Sequence, residues 1–111
     1  MQKVDEFMSE LPITKNEYDK SVILVDFLSE FKEKTKDNEN IKNVIFLPEI
    51  AGYCIKFDYN DIPSKISLSL NKSKFKSSMK VKYIRRDEEL KTFLSRNKKD
   101  NQEILNQILQ L

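Results

Sequence analysis

Hydrophobic and polar residues follow two different periods along this chain, and the change of period separates helical from extended segments. In the first third, apolar residues recur three and four residues apart, which places them on one side of an α-helix. This spacing predicts a short helix over residues 3–11 and, beyond Pro12, a longer helix over residues 15–36. The longer helix is apolar over much of its circumference, so it needs cover on two sides.

From residue 41 the period falls to two, which is typical of half-buried β-strands. The alternation predicts strands over residues 41–47, 52–59, 64–70 and 79–85. Pro48 is expected to end the first strand, and residues 60–63, with the sequence NDIP, are expected to form a turn. Consecutive strands with short links favour an antiparallel meander, because parallel neighbours need long crossover connections.

Two amphipathic segments follow the strands. Leu90, Phe93 and Leu94 have helical spacing after Asp87, a favourable N-cap residue, and this predicts a helix over residues 87–97. Asp100 is expected to begin a last helix over residues 101–110. The whole pattern predicts a single α+β domain over residues 1–111, a four-stranded antiparallel meander with N-terminal helices and two C-terminal helices packed on one face.

This order of a helix, a four-stranded meander and two helices resembles that of RWD domains, interaction modules of kinetochore and ubiquitin-related proteins. It is also similar to the order in some secretion chaperones and small phage-encoded inhibitors. The resemblance is one of topology only, and no family is assigned on it. The proline-containing turn usual in RWD domains after the third strand is missing, since the corresponding segment reads NKSKFKSSM. The resemblance implies a function in protein binding.

Composition excludes several kinds of chemistry. The chain has no histidine, one cysteine and one glycine, which excludes histidine-dependent catalysis, the usual structural zinc sites and the glycine-rich phosphate loops. Asp58 and Asp61 flank a turn and are expected to be solvated turn residues rather than cation ligands. We therefore expect a protein that is not an enzyme, with no cofactor, no metal and no membrane partner. A single cysteine and the lack of a signal peptide favour an intracellular location, in the cytoplasm or nucleus.

Basic residues concentrate in one part of the chain. Residues 65–86 carry eight basic side chains and no acidic one. Strand alternation predicts that the lysines within the strands face away from the helices, and residues 72–76 are expected to form a loop. The basic residues form either a solvated face that keeps the sheet soluble or a surface that meets phosphate or another anion. The candidate anion or nucleic-acid contacts are Lys56, Lys65, Lys72, Lys74, Lys76, Lys80, Lys82, Arg85 and Arg86.

Three functions are compatible with this pattern. The first is a non-catalytic adaptor that binds another protein, or a second copy of itself, through the apolar faces of its helices. Its predicted interface residues are Val22, Leu24, Phe27, Phe31, Leu105 and Leu109. The alternative is a nucleic-acid-binding domain that contacts the phosphate backbone, independently of sequence, through the basic sheet face. The third is a small inhibitor protein encoded by a phage or mobile element.

Overall fold

The computed structural model describes the backbone of residues 15–50, 52–70 and 78–111, and the side chains from residue 22 onward in the same ranges. This part of the chain contains two helices and a five-stranded antiparallel sheet in the order β1-β2-β3-β4-β5. The elements are α1 (Lys15–Thr35), β1 (Ile41–Glu49), β2 (Gly52–Tyr59), β3 (Ile62–Leu70), β4 (Met79–Arg85), β5 (Glu88–Ser95) and α2 (Lys98–Ile108). The chain is α+β with an antiparallel meander, as predicted, but the sheet has five strands instead of four.

Both helices pack on the same face of the sheet, and the hydrophobic core lies between the two layers. Alternate residues of the strands point into this core, while the residues between them point to the opposite face. The largest fully buried side chains of the core are Leu24, Phe27, Leu28, Phe31, Ile55, Ile66, Leu68, Met79, Val81, Tyr83, Leu105 and Ile108.

The elements before residue 86 lie close to their predicted positions. The long helix and the second and fourth strands coincide with the predicted ranges to within one residue. The first strand continues through Pro48 to Glu49, where it was expected to stop. Proline is tolerated there because β1 is an edge strand and its backbone nitrogen needs no partner. The predicted helix over residues 3–11 lies outside the described residues.

The predicted helix over residues 87–97 is wrong, because Glu88–Ser95 forms the fifth strand. Arg86 and Asp87 both have positive φ, 53° and 64°, which defines a tight two-residue hairpin turn and not the start of a helix. Leu90 has no partner on β4, because the neighbouring residues Glu89 and Lys91 pair with consecutive residues of that strand. Leu90 is therefore the extra residue of a bulge.

The last helix begins earlier than predicted. Asn97 is its N-cap, and the Asn97 side chain accepts a hydrogen bond from the backbone N–H of Asp100 at 2.8 Å. The carboxylate of Asp100 in turn accepts from the backbone N–H of Arg96 at 2.9 Å. A single helix thus follows the sheet in the described chain, so the element order behind the resemblance to RWD domains is not confirmed.

Candidate functional site: the open face of the sheet

Within the described residues, no helix covers the face of the sheet opposite the core. We call this surface the open face. Strand register brings four lysines together on it, and its residues are Ile45, Leu47, Lys56, Lys65, Ser67, Ser69, Lys80, Lys82 and Leu94. Lys56 of β2 lies directly opposite Lys65 of β3. Lys80 and Lys82 of β4 lie opposite Ser69 and Ser67 of β3. The central three strands therefore present ammonium groups and hydroxyl groups side by side, which are donors that suit an anionic partner.

The four lysines have no acidic partner within the described part of the chain. The ion pairs found there, Glu30–Lys34 and Glu33–Lys36, both lie in or next to α1. Nearby acids are engaged elsewhere: Asp58 accepts a hydrogen bond from the Asn43 side chain at 2.8 Å. Like charges directly opposite each other on neighbouring strands destabilise a sheet, so the Lys56–Lys65 pair opposes folding slightly.

Exposed aliphatic side chains flank the lysines on both sides. Ile45 and Leu47 of β1 are 50% and 36% exposed, and Leu94 of β5 is 47% exposed. Leu47 lies opposite Cys54, and Leu94 lies opposite Lys80, so both belong to the open face. The surface is thus basic in its centre, with exposed aliphatic side chains at its two edges. Glu49 also lies at the β1 edge, where its carboxylate accepts a hydrogen bond from Ser67 Oγ at 3.5 Å.

The end of the open face near the Asn60–Asp61 turn is concave. A depression of about 410 Å³ is lined there by Ile45, Lys56, Asp58, Lys65 and Ile84, among other residues. Its lining combines the ammonium groups of two lysines, the carboxylates of Asp58 and Asp87, and two aliphatic side chains. A shallow depression of this kind accepts a protruding side chain from a partner more readily than it encloses a small substrate.

Cys54 lies beneath this surface and is buried, only 2% exposed. Burial is the main cause that raises the pKa of its thiol, and Glu49 raises it further, while Lys65 and Lys56 act in the opposite direction. A thiol with a raised pKa is protonated at neutral pH and is a poor nucleophile. Cys54 therefore acts as a packing residue.

The remaining predicted anion contacts are placed elsewhere. Arg85 lies on the covered side of the sheet, where its Nη1 donates to the carbonyl oxygen of Leu111 at 3.2 Å and its guanidinium lies 5.8 Å from the ring centroid of Tyr59. Arg86 is exposed in the β4–β5 turn. The loop lysines Lys72, Lys74 and Lys76 lie outside the described residues.

The predicted helix interface falls within the core. Leu24, Phe27, Phe31 and Leu105 are fully buried inside the chain, and Val22 and Leu109 are partly buried. The sheet covers one side of α1, and α2 covers another side. Together they bury the apolar residues that extend around much of α1. These side chains have little surface left for a partner. In the described part of the chain, most of the exposed large apolar side chains lie on β1 and β5 instead.

Sequence reasoning identified the lysines of the open face but not its aliphatic edges. Leu94 lies in the segment that the sequence predicts as a helix over residues 87–97. In β1, a bulge next to Asn43, which has a φ of 57°, reverses the alternation. Ile41 before the bulge and Phe46 after it thus both pack toward the core, although one position is odd and the other even. The available signal was the asparagine at the bulge, a residue that tolerates positive φ.

Comparison with known proteins gives no further assignment: the chain matches no protein-family model, no curated protein and no solved structure. Within the described ranges, no group of three or more cysteine, aspartate or glutamate residues is placed to hold a metal ion. None of the helices in that part of the chain is long and apolar enough to cross a membrane.

Proposed function

We propose that this protein is a non-catalytic interaction module whose open face binds an acidic, partly apolar surface of another protein. The observation that carries the proposal is the set of four lysines, without acidic partners in the described chain, between exposed aliphatic side chains. The proposal keeps the predicted adaptor function but moves its interface from the helices to the sheet.

The charge arrangement supports an acidic partner. Lys56 and Lys65 lie side by side, at a small cost to stability that a bound carboxylate would remove. Charge complementarity of this kind raises the rate of association and excludes partners with basic surfaces. Lysine side chains are flexible, which suits contacts with carboxylates in several geometries.

The apolar edges support a protein over a nucleic acid. A partner with aliphatic side chains gains from covering Ile45, Leu47 and Leu94, whereas a phosphate backbone has no apolar surface to offer them. The open face, as far as it is described, carries no arginine for bidentate phosphate recognition and no aromatic side chain on which a base would stack.

Phosphate-backbone binding is the second candidate, because the same lysines and the serines between them are donors to phosphate oxygens. The two candidates differ in their salt dependence. Binding to duplex DNA through several lysines weakens steeply with salt, because it depends on the release of counterions. Binding that also covers aliphatic side chains retains part of its affinity at high salt.

The two candidates are separated by NMR titrations of the protein with two probes, a copolymer of glutamate and leucine and a duplex DNA of mixed sequence. We expect the copolymer to shift the resonances of Lys56, Lys80 and Lys82 together with those of Ile45 and Leu94. The variant Lys80→Glu/Lys82→Glu is expected to lose at least tenfold in affinity, because it reverses charge at the centre of the open face.

The matched control is Lys98→Glu/Lys99→Glu, which makes the same change of net charge at exposed positions in the first turn of α2. This control should bind the copolymer almost as well as the wild type. Equal losses in both variants, or shifts that spread over the helices, would show that only net charge matters. Preference for DNA over the copolymer at physiological salt would establish the second candidate instead.

A further inference from the structure

One row of side chains crosses four strands of the sheet at right angles to the strands. Ile45 of β1 lies opposite Lys56 of β2, and Lys56 lies opposite Lys65 of β3. Lys65 in turn lies opposite Ile84 of β4. Residues paired directly across an antiparallel sheet point to the same face, so Ile84 shares the open face with the other three. We call these four residues the cross-strand row.

The cross-strand row lines the depression of about 410 Å³ near the Asn60–Asp61 turn. Ile45 is 50% exposed and Ile84 is partly buried, so both ends of the row offer apolar surface to a bound group. The two lysines between them have no acidic partner in the described part of the chain. One concave surface thus combines two unneutralised charges with apolar surface on either side.

Three carboxylates limit what the depression accepts. Asp58 and Asp87 line its side near the turns, and Glu89 lies opposite Ile84 at the end of the row. These groups repel a ligand whose negative charges repeat at short intervals, such as a run of acidic residues or a phosphate backbone. A single carboxylate between the two lysines is attracted, because opposite charges are then its nearest neighbours.

The spacing of the row matches that of an extended peptide. Neighbouring strands lie about 4.8 Å apart, so Ile45 and Ile84 are separated by about 14 Å, and the midpoint between the two lysines lies about 7 Å from each isoleucine. Residues i, i+2 and i+4 of an extended segment point to one side, about 7 Å apart from one to the next. A segment that crosses the strands therefore places residue i over one isoleucine, residue i+2 between the lysines and residue i+4 over the other isoleucine.

We infer that the depression anchors a short extended segment of the partner protein, in which one acidic residue has an aliphatic residue two positions before it and another two positions after it. The carboxylate binds between the ammonium groups of Lys56 and Lys65, and the aliphatic side chains cover Ile45 and Ile84. A peptide is the occupant because charge and apolar surface follow each other at the spacing of a peptide chain. The inference rests on the proposed function and deepens it, since it names the part of the partner that the open face recognises.

The first test titrates the full chain with three peptides and follows the NMR resonances of the cross-strand row. The spaced peptide is N-acetyl-Leu-Ser-Glu-Ser-Leu-amide. The reordered peptide, N-acetyl-Ser-Leu-Glu-Leu-Ser-amide, has the same composition, but in an extended chain its leucines point away from the side of its glutamate. In the third peptide glutamine replaces the glutamate of the spaced peptide. We expect the spaced peptide to bind about fivefold or more tightly than either of the others, because only it supplies the carboxylate and both leucines on one side.

The second test uses two matched variants of the open face. Lys65→Gln removes one lysine of the cross-strand row and is expected to weaken binding of the spaced peptide about fivefold or more. Lys82→Gln is the control, because Lys82 lies on the same face and is partly buried like Lys65 but is outside the row, so it should change the affinity less than about twofold. Ile45→Ser should reduce the preference for the spaced over the reordered peptide and leave the preference for glutamate over glutamine intact. Circular dichroism checks that each variant is folded.

Three results would overturn the inference: no binding of the spaced peptide, equal binding of the spaced and reordered peptides, or equal losses in Lys65→Gln and Lys82→Gln. The proposed function has a separate readout, the binding of the glutamate–leucine copolymer to the open face. A chain that binds the copolymer but does not distinguish the spaced from the reordered peptide retains the proposed function and contradicts only this inference.

Discussion

Gly52 begins β2 at a point where the neighbouring strand leaves no room for a side chain. A Cβ atom at this position would lie 1.7 Å from the carbonyl oxygen of Leu68 and 2.8 Å from its carbonyl carbon. Both are backbone atoms of β3, so relief would require the strands to move apart. Close backbone approach explains why the single glycine of the chain occurs here.

We expect Gly52→Ala to destabilise the domain by about 3 kcal/mol or more, at the upper end of the cost of overpacking. Urea unfolding followed by circular dichroism measures the change in the free energy of unfolding. Ser69→Ala is the control, because Ser69 lies opposite Gly52 but its side chain is exposed, and it should change stability by less than about 0.5 kcal/mol. A stable Gly52→Ala variant would show that β2 and β3 are further apart than described.

At the scale of elements, a buried asparagine joins both helices to the sheet. Asn101 of α2 is fully buried, and its Nδ2 donates to the carbonyl oxygen of Ile23 in α1 at 3.1 Å. Its Oδ1 accepts a hydrogen bond from the hydroxyl of Ser95, the last residue of β5. One side chain therefore fixes the position of α2 relative to its two neighbours, and buried polar groups of this kind must keep their partners.

We expect Asn101→Ala to lower the free energy of unfolding by about 1–3 kcal/mol, because the carbonyl of Ile23 loses a buried donor and the hydroxyl of Ser95 keeps only its bond to the carbonyl of Asn97 at 3.2 Å in the described part of the chain. The measurement is urea unfolding. Asn106→Ala is the matched control. Asn106 is exposed, and within the described residues its side chain accepts a hydrogen bond from Lys34 Nζ alone, at 2.8 Å, so its removal should cost less than about 0.5 kcal/mol. Similar losses in the two variants would mean that Asn101 is not a structural link.

Most elements were predictable from sequence because their periodicity agrees with their environment. β4 alternates between buried and more exposed residues, β2 alternates between apolar and polar residues from Ile55 onward, and the long helix has a broad apolar face that the core covers. The spacing of Leu90, Phe93 and Leu94 predicts a helix, but in β5 these residues do not share a face: Phe93 packs toward the core, Leu94 lies on the open face, and Leu90 is the extra residue of a bulge. Asp87 is ambiguous in the same way, since aspartate is favourable both as a helix N-cap, which predicts a helix here, and in turns with positive φ, which is what the structure contains.

At the scale of the whole molecule, the two faces of the sheet have different roles. The covered face holds the core, and alternation predicted its members in β2, β3 and β4 correctly. The same alternation placed Lys56, Lys65, Lys80 and Lys82 on the opposite face, which is where they lie. Arg85 has the parity of the core residues Val81 and Tyr83, so sequence reasoning could also have excluded it from that face. The position of the aliphatic edges depends on two bulges, and no periodicity argument identifies these in advance.

The open face also predicts how stability responds to salt. Repulsion among four neighbouring lysines weakens as ions screen it, so the free energy of unfolding in urea should rise by about 0.5–1 kcal/mol between 0.05 and 0.5 M NaCl. Lys80→Glu/Lys82→Glu should stay folded, and this variant should show a smaller response to salt, because each glutamate attracts the remaining Lys56 and Lys65. Urea is the appropriate denaturant, since guanidinium chloride would itself screen the charges. A wild-type protein that loses stability with added salt, or a variant that unfolds, would mean that these lysines are engaged with acidic partners and not exposed on an open surface.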